Sequence, residues 1–206
     1  MQIVITATDR QWEEWPAKDQ QTTWIRVADG NAFAENANAD AFINLIGCMI
    51  LPSYAALQKP VLINSVTATL SGMSAPANVL RINGWPDFLL RPVWEVAGKL
   101  DEAASTLFEQ LNKKVSVVAD EPGLITARIV SMIINEAYFA IGDKVSSKEE
   151  IDTAMKLGTN YPFGPFEWAS VIGPEFILEL LQELNKTDKR YQPAPALLDE
   201  ITTLHT

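Results

Sequence analysis

The sequence predicts an α/β domain of abbreviated doubly wound type over residues 1–119, followed by an all-helical domain over residues 120–206. Three observations carry this. Short apolar, β-branched runs recur through the first half, the form taken by strands buried on both faces of a parallel sheet. The stretches between them are polar, turn-forming or compatible with a helix, as crossover connections require. After Asp120 the apolar spacing changes from strand-like to helical.

QIVITA (2–7) reads as the first strand, and the polar TDRQWEEWPAKDQQ after it has helical potential. TTWIRVAD (22–29) is a second strand that ends at Asp29-Gly30-Asn31, a turn and helix-start signal, so the three pieces fit a βαβ unit. AFINLIG (41–47), PVLINSV (60–66) and VLRINGW (79–85) follow as strands. LDEAASTLFEQLNKK (100–114) is predicted as a helix, with acids early and lysines late to suit its dipole, and VSVVAD (115–120) closes the pattern as a strand. Beyond it, Leu124, Ile125, Ile129, Ile133, Ala137 and Ile141 fall near one face of a long helix, with Pro122 suited to a first turn. Ser147 to Glu150 forms a capping box for a helix that Gly158 is expected to stop. PEFILELLQELNK (174–186) and APALLDEITTL (194–204) complete the helical half.

Composition excludes several functions. A net charge of −10 argues against nucleic-acid or anionic-membrane binding, both of which rely on clustered Lys and Arg. The longest apolar run, 41–51, is too short to span a bilayer, and no basic region follows Met1, so a cytoplasmic protein is expected. Cys48 is the single cysteine, so neither an internal disulfide nor a cysteine metal cluster forms, and within NLIGCMIL it reads as a small buried hydrophobe. His205 is the single histidine and stands next to last, where a tail residue without a role is expected. No histidine base, triad or metal site can be built elsewhere.

One stretch raises a question. In INGWPDFLLRPVWEV (82–96), Glu95 is a carboxylate among apolar and aromatic neighbours that include Trp85, Phe88 and Trp94. Such a group is either satisfied by hydrogen bonds or part of a site.

DEPGLITARIVSMIINEA (120–137), EEIDTAMKLGTNYPFGPFEWASVIG (149–173) and RYQPAPALLDE (190–200) give the second half its resemblance to the C-terminal domain of 3-hydroxyacyl-CoA dehydrogenases. The Pro162-to-Glu167 run, with Ile151-Asp152 upstream, is the most specific part, although Gly164 and Pro165 read equally as residues that shape a turn between helices. The resemblance implies a helical domain that mediates homodimerisation and helps to enclose an acyl-CoA-like small molecule beside a nicotinamide cofactor. It also implies a Rossmann-like first domain. That domain bears a catalytic histidine twelve residues before a glutamate that orients it.

Glu95 stands at the position of that glutamate, and counting back twelve residues lands on Asn83. Asn83 cannot accept a proton near neutral pH as imidazole does. Val66 stands where the resemblance places a catalytic serine, with Thr67 adjacent as a partial substitute, and Ala127 replaces a contacting asparagine while Arg128 is kept. The glycine-rich turn that lets a pyrophosphate approach the first strand is absent from Ala7-Thr8-Asp9-Arg10-Gln11-Trp12. Arg10 and Asp29 are the residues left to contact a cofactor, as a phosphate ligand and a ribose ligand, although each also reads as ordinary surface or turn chemistry. The part before residue 60 is shorter than its counterpart by at least one strand–helix unit.

The expected function is that of a catalytically silent, dimeric ligand-binding or regulatory relative of these dehydrogenases, with no cofactor and no metal. The alternative is an NAD-dependent oxidoreductase, or an enzyme with altered chemistry in which Glu95 serves as acid or base with a pKa raised by its surroundings. In a third reading Glu95 is structural and accepts hydrogen bonds from Asn83 or from backbone.

Overall fold

The computed structural model describes residues 1–15, 22–47 and 50–204, the side chains of Glu14 and Leu204 aside; Cys48 and His205 lie outside the described residues. The chain divides into two compact units, Met1–Leu124 and Ile125–Thr206.

The first unit is a seven-stranded sheet in the order β2-β1-β3-β4-β5-β6-β7. Its strands are β1 (Gln2–Thr6), β2 (Thr23–Arg26), β3 (Ala41–Asn44), β4 (Val61–Asn64), β5 (Val79–Ile82), β6 (Val93–Ala97) and β7 (Lys114–Val117). All neighbours run parallel except β5 and β6. Helices α1 (Asp9–Glu14), α2 (Ser53–Leu57) and α3 (Glu102–Gln110) and a 3-10 helix at Gly30–Asn36 connect them. The expected strands are all present but shorter than read, and β7 begins one residue before its expected start, at Lys114. The sequence reading missed β6, because VWEVA carries an acid in the middle of an otherwise apolar run.

Alternation along the central strands sends side chains to two cores. Ile3, Ile5, Ile43, Leu62 and Leu80 join Trp94, Leu107 and Phe108 on one face. Val4, Phe42, Val61, Ile63 and Val79 join Phe33 and Tyr54 on the other. On that second face Phe33 lies 5.2 Å from Phe42 and 5.7 Å from Tyr54, ring centre to ring centre. Gly30 makes this packing possible, since a Cβ there would stand 2.4 Å from the Tyr54 hydroxyl.

The second unit is helical: α4 (Thr126–Gly142), α5 (Lys148–Thr159), α6 (Pro165–Ile172), α7 (Pro174–Asn185) and α8 (Pro195–Leu204). Two local expectations are corrected. Pro122 precedes α4 by four residues and sits in a turn, so it is not a first-turn proline. Gly158 lies inside α5, and the helix stops instead on Asn160, whose left-handed φ of 57° ends it. The Ser147–Glu150 capping box is present as read. Among the described residues no helix is long and apolar enough to cross a membrane.

Candidate functional site

In an open doubly wound sheet, ligands approach at the carboxyl ends of the strands where strand order reverses. Here that place lies between β1 and β3. Its backbone groups are already engaged. Thr8 caps α1, its hydroxyl accepting the Gln11 N–H at 3.2 Å, while the Gln11 side-chain oxygen accepts the Thr8 N–H at 3.0 Å. The Gln11 amide then reaches across to the Leu45 carbonyl at 3.0 Å, beyond the end of β3. Asn64 donates to the same carbonyl at 3.2 Å.

Beside this bridge, Arg26 donates to the Ala7 carbonyl at 2.8 Å and to the Asp9 carboxylate at 2.6 Å. The Thr8 and Gln11 N–H groups are therefore spent on a capping box, and a carboxylate held by Arg26 stands at the first turn of a six-residue helix. These residues do not fit a dinucleotide phosphate. Arg10 pairs with Asp87 at 3.9 Å. Asp29 caps the 3-10 helix, its carboxylate accepting the Asn31 N–H at 2.7 Å. Both residues thus have local structural partners.

Glu95 lies on β6, and Asn83 is the first residue beyond the end of β5. Antiparallel pairing sets Arg81 opposite Ala97 and Ile82 opposite Val96, so its continuation by one residue sets Asn83 across from Glu95. Glu95 is half-buried, and Trp94 points to the opposite sheet face, into the core with Leu107 and Phe108. Trp94 therefore does not wall in the carboxylate as the sequence suggested. Asn83 is 8% exposed; its carboxamide oxygen accepts the Trp85 N–H at 3.1 Å, and its amide nitrogen has no hydrogen-bond partner among the described residues. The proposed donation from Asn83 to Glu95 is thus not made. Asn83 closes a turn instead, with the next N–H, that of Gly84, given to the Asn64 side chain at 2.9 Å.

The loop after this turn is pinned from below. The Lys113 ammonium, buried against the Trp94 ring at 5.0 Å, donates to the carbonyls of Leu89 at 2.9 Å and Arg91 at 2.7 Å. Burial lowers its pKa from the usual lysine range. Thr67 lies half-buried in the bend after β4, beside Val66.

A heavily bonded group among the described residues of this unit is one that the sequence analysis does not single out. Arg81, in the middle of β5, is fully buried. It donates to the Ser65 carbonyl at 3.0 Å, the Val66 carbonyl at 3.2 Å, the Glu121 carbonyl at 3.1 Å and the Asp120 carboxylate at 2.7 Å. Asp120 also accepts the N–H groups of Leu70 and Ser71, each at 3.0 Å. Burial would raise the Asp120 pKa, but the Ser71 and Leu70 N–H groups and the guanidinium together hold it below the ordinary carboxylate range. Burial also lowers the Arg81 pKa, opposed by the same carboxylate. The signal was available as an arginine inside an apolar strand run, VLRI, which demands a buried acid somewhere.

In the helical unit the Pro162-to-Glu167 run proves to be a helix start. Asp152, on α5, accepts the N–H groups of Phe166 at 2.8 Å and Glu167 at 3.2 Å, the opening donors of α6. Gly164 lies so close that a Cβ would be 2.3 Å from the Asp152 carboxyl, and Pro165 begins the helix. Glu167 accepts the Gly164 N–H at 2.9 Å and pairs with Lys156, which lowers its pKa. The RYQPAP segment is fixed likewise: buried Asn135 on α4 donates to the Gln192 carbonyl at 2.9 Å and accepts the Ala194 N–H at 2.8 Å.

Residues 123–204 match the family model described as 3-hydroxyacyl-CoA dehydrogenase, C-terminal domain. A 3-hydroxyadipyl-CoA dehydrogenase of Escherichia coli (strain K12) is 45% identical over 91 residues, which are 43% of this chain and 19% of that protein. A 3-hydroxybutyryl-CoA dehydrogenase of Clostridioides difficile is 34% identical over 141 residues, 65% of this chain and 50% of its own length. The chain thus spans no more than half the length of these relatives. Among solved structures, (S)-3-hydroxybutyryl-CoA dehydrogenase from Ralstonia eutropha superposes with a TM-score of 0.70 at 17% identity, covering 98% of this chain and 93% of that one. At that identity the likeness is one of fold.

Proposed function

From the match of residues 123–204 to the C-terminal domain of 3-hydroxyacyl-CoA dehydrogenases, we propose that this chain has kept that family's body without its nicotinamide-dependent chemistry and acts as a binding or regulatory protein. The observation that carries this reading is the bridge from Thr8 through Gln11 to the Leu45 carbonyl. It commits the Thr8 and Gln11 N–H groups, in the turn where a pyrophosphate would approach, to internal bonds. The reacting end supports the same reading, since Asn83 offers an amide where a base is required, and a general base typically contributes about 10² to 10⁴ in rate. An acyl-CoA-like molecule is the ligand class that this match suggests.

Calorimetric titration of the purified chain with NADH, with and without acetoacetyl-CoA, tests the reading. The expected result is no saturable NADH heat up to about 1 mM, a ceiling of about −4 kcal/mol in binding free energy. NADH binding in the micromolar range would overturn it. Heat from acetoacetyl-CoA alone would identify a ligand-binding protein, and heat from neither would direct the role toward protein partners.

A further inference from the structure

Asn83-Gly84 is the single Asn-Gly pair in the chain. Such a pair can modify itself, because a glycine nitrogen, with no side chain beside it, reaches the preceding carboxamide carbon with the least hindrance. The Gly84 nitrogen bonds to Cγ of Asn83 and loses its proton, the bond from Cγ to Nδ2 breaks, and ammonia leaves. Water then opens the cyclic imide at either carbonyl, giving aspartate or its isoaspartyl isomer. In the folded chain Nδ2 of Asn83, the leaving nitrogen, has no hydrogen-bond partner among the described residues. The attacking nitrogen, by contrast, is held. The Gly84 N–H is donated to Oδ1 of Asn64 at 2.9 Å, and Asn64 is itself anchored by donating to the Leu45 carbonyl at 3.2 Å. A Cβ on Gly84 would stand 2.6 Å from Cγ of Asn64, so the backbone has little room to swing toward ring closure. Asn83 is also 8% exposed, which keeps out the water that the second step consumes.

We propose that Asn83-Gly84 is a deamidation site and that Asn64 is the residue that holds it closed. The reaction then runs only from openings of the turn, at a rate set by the open fraction of the folded chain. Its two products act differently on the end of β5. Aspartate replaces the unpaired amide donor with a charged group that can only accept. The isoaspartyl form adds a carbon to the main chain between Asn83 and Gly84, and so breaks the turn that Asn83 closes by accepting the Trp85 N–H. That turn stands at the carboxyl end of β5, the side of the sheet where ligands approach, so modification reaches the binding end before it reaches either core. The proposal concerns the chemistry of this turn alone, so NADH binding would overturn the functional reading above and leave this one standing.

Mass mapping of the proteolytic peptide that spans Asn83, after warm storage of the purified chain near neutral pH, tests it; chromatography separates the aspartyl and isoaspartyl products. The folded wild-type chain is expected to convert at least about tenfold more slowly than the urea-unfolded chain. Asn64→Leu removes the acceptor and should raise the folded rate about fivefold or more, since loss of one hydrogen bond raises the open fraction. Asn64→Asp keeps an acceptor for the Gly84 N–H and should stay within about twofold of wild type. Asp120→Asn controls for stability, because it weakens the same unit without touching the turn. At a urea concentration that gives both variants the same stability, it should convert more slowly than Asn64→Leu. Circular dichroism checks that each variant folds. A folded wild type as fast as the unfolded chain, Asn64→Leu without effect, or Asn64→Asp or Asp120→Asn as fast as Asn64→Leu would each overturn the proposal.

Discussion

Asp120→Asn removes the charge that neutralises Arg81. The guanidinium stays, fully buried, bonded to three carbonyls and no carboxylate, with the charge of Glu121 acting on it only at longer range. The carboxamide introduced by this substitution would also bring two amide hydrogens toward positions where the carboxylate now accepts the Leu70 and Ser71 N–H groups. Breaking a buried ion pair from one side costs about 3–5 kcal/mol. Asp120 is 26% exposed, so water can partly replace it, and the lower end applies, about 3 kcal/mol. For a unit of this size that corresponds to a Tm lower by roughly 10–15 °C.

Five of the six tryptophans, Trp12, Trp15, Trp24, Trp85 and Trp94, belong to the sheet unit. Urea unfolding followed by their fluorescence therefore reads that unit. The pH dependence has a definite sign. Asp120 has a depressed pKa in the folded chain, so its contribution is present above the ordinary carboxylate pKa and is lost as pH falls through the lower, folded value. The gap between wild type and variant should therefore be widest near neutrality and narrow in acid. A loss below about 1 kcal/mol at pH 7, or a gap that widens in acid, would refute the reasoning.

Two other outcomes are expected. Asp152→Ala strips two N–H acceptors from the start of α6 and should cost the helical unit about 2 kcal/mol, read as a lower Tm by circular dichroism; a shift of less than about a degree would mean that the cap is dispensable. Asn83→His should give no measurable oxidation of NADH with acetoacetyl-CoA, because the bridge at Gln11 remains; turnover in that variant would show that the cofactor still finds a place.

Most of the sheet was legible because each strand is covered on both faces, so an unbroken apolar run marks it. β6 escaped because its outward-facing position is a glutamate, and β5 was read without its arginine because a buried ion pair leaves no trace in periodicity. The apolar stripe read along α4 mixes buried positions, Leu124 and Ala137, with exposed ones, Ile125 and Ile129, because spacing alone cannot tell which apolar residues pack within the unit. Of the site residues, Asn83 and Glu95 were singled out by a count of twelve taken from the family resemblance, and they follow the last β5–β6 pair, Ile82 with Val96. What the count could not contain was the Gln11 bridge, a side-chain choice made between two loops distant in sequence.

The cap that Asp152 places on α6 has an evolutionary consequence. Its requirements are a carboxylate, a glycine too close to it for any side chain, and a proline at the helix start, and all three concern folding. A lineage that stops turning over substrate relaxes its hold on bases and glycine turns but not on this cap, because an uncapped helix harms a silent protein as much as an active one. The two halves of such a molecule therefore run on different clocks. The part by which its ancestry can be told is the part that says least about what it does now.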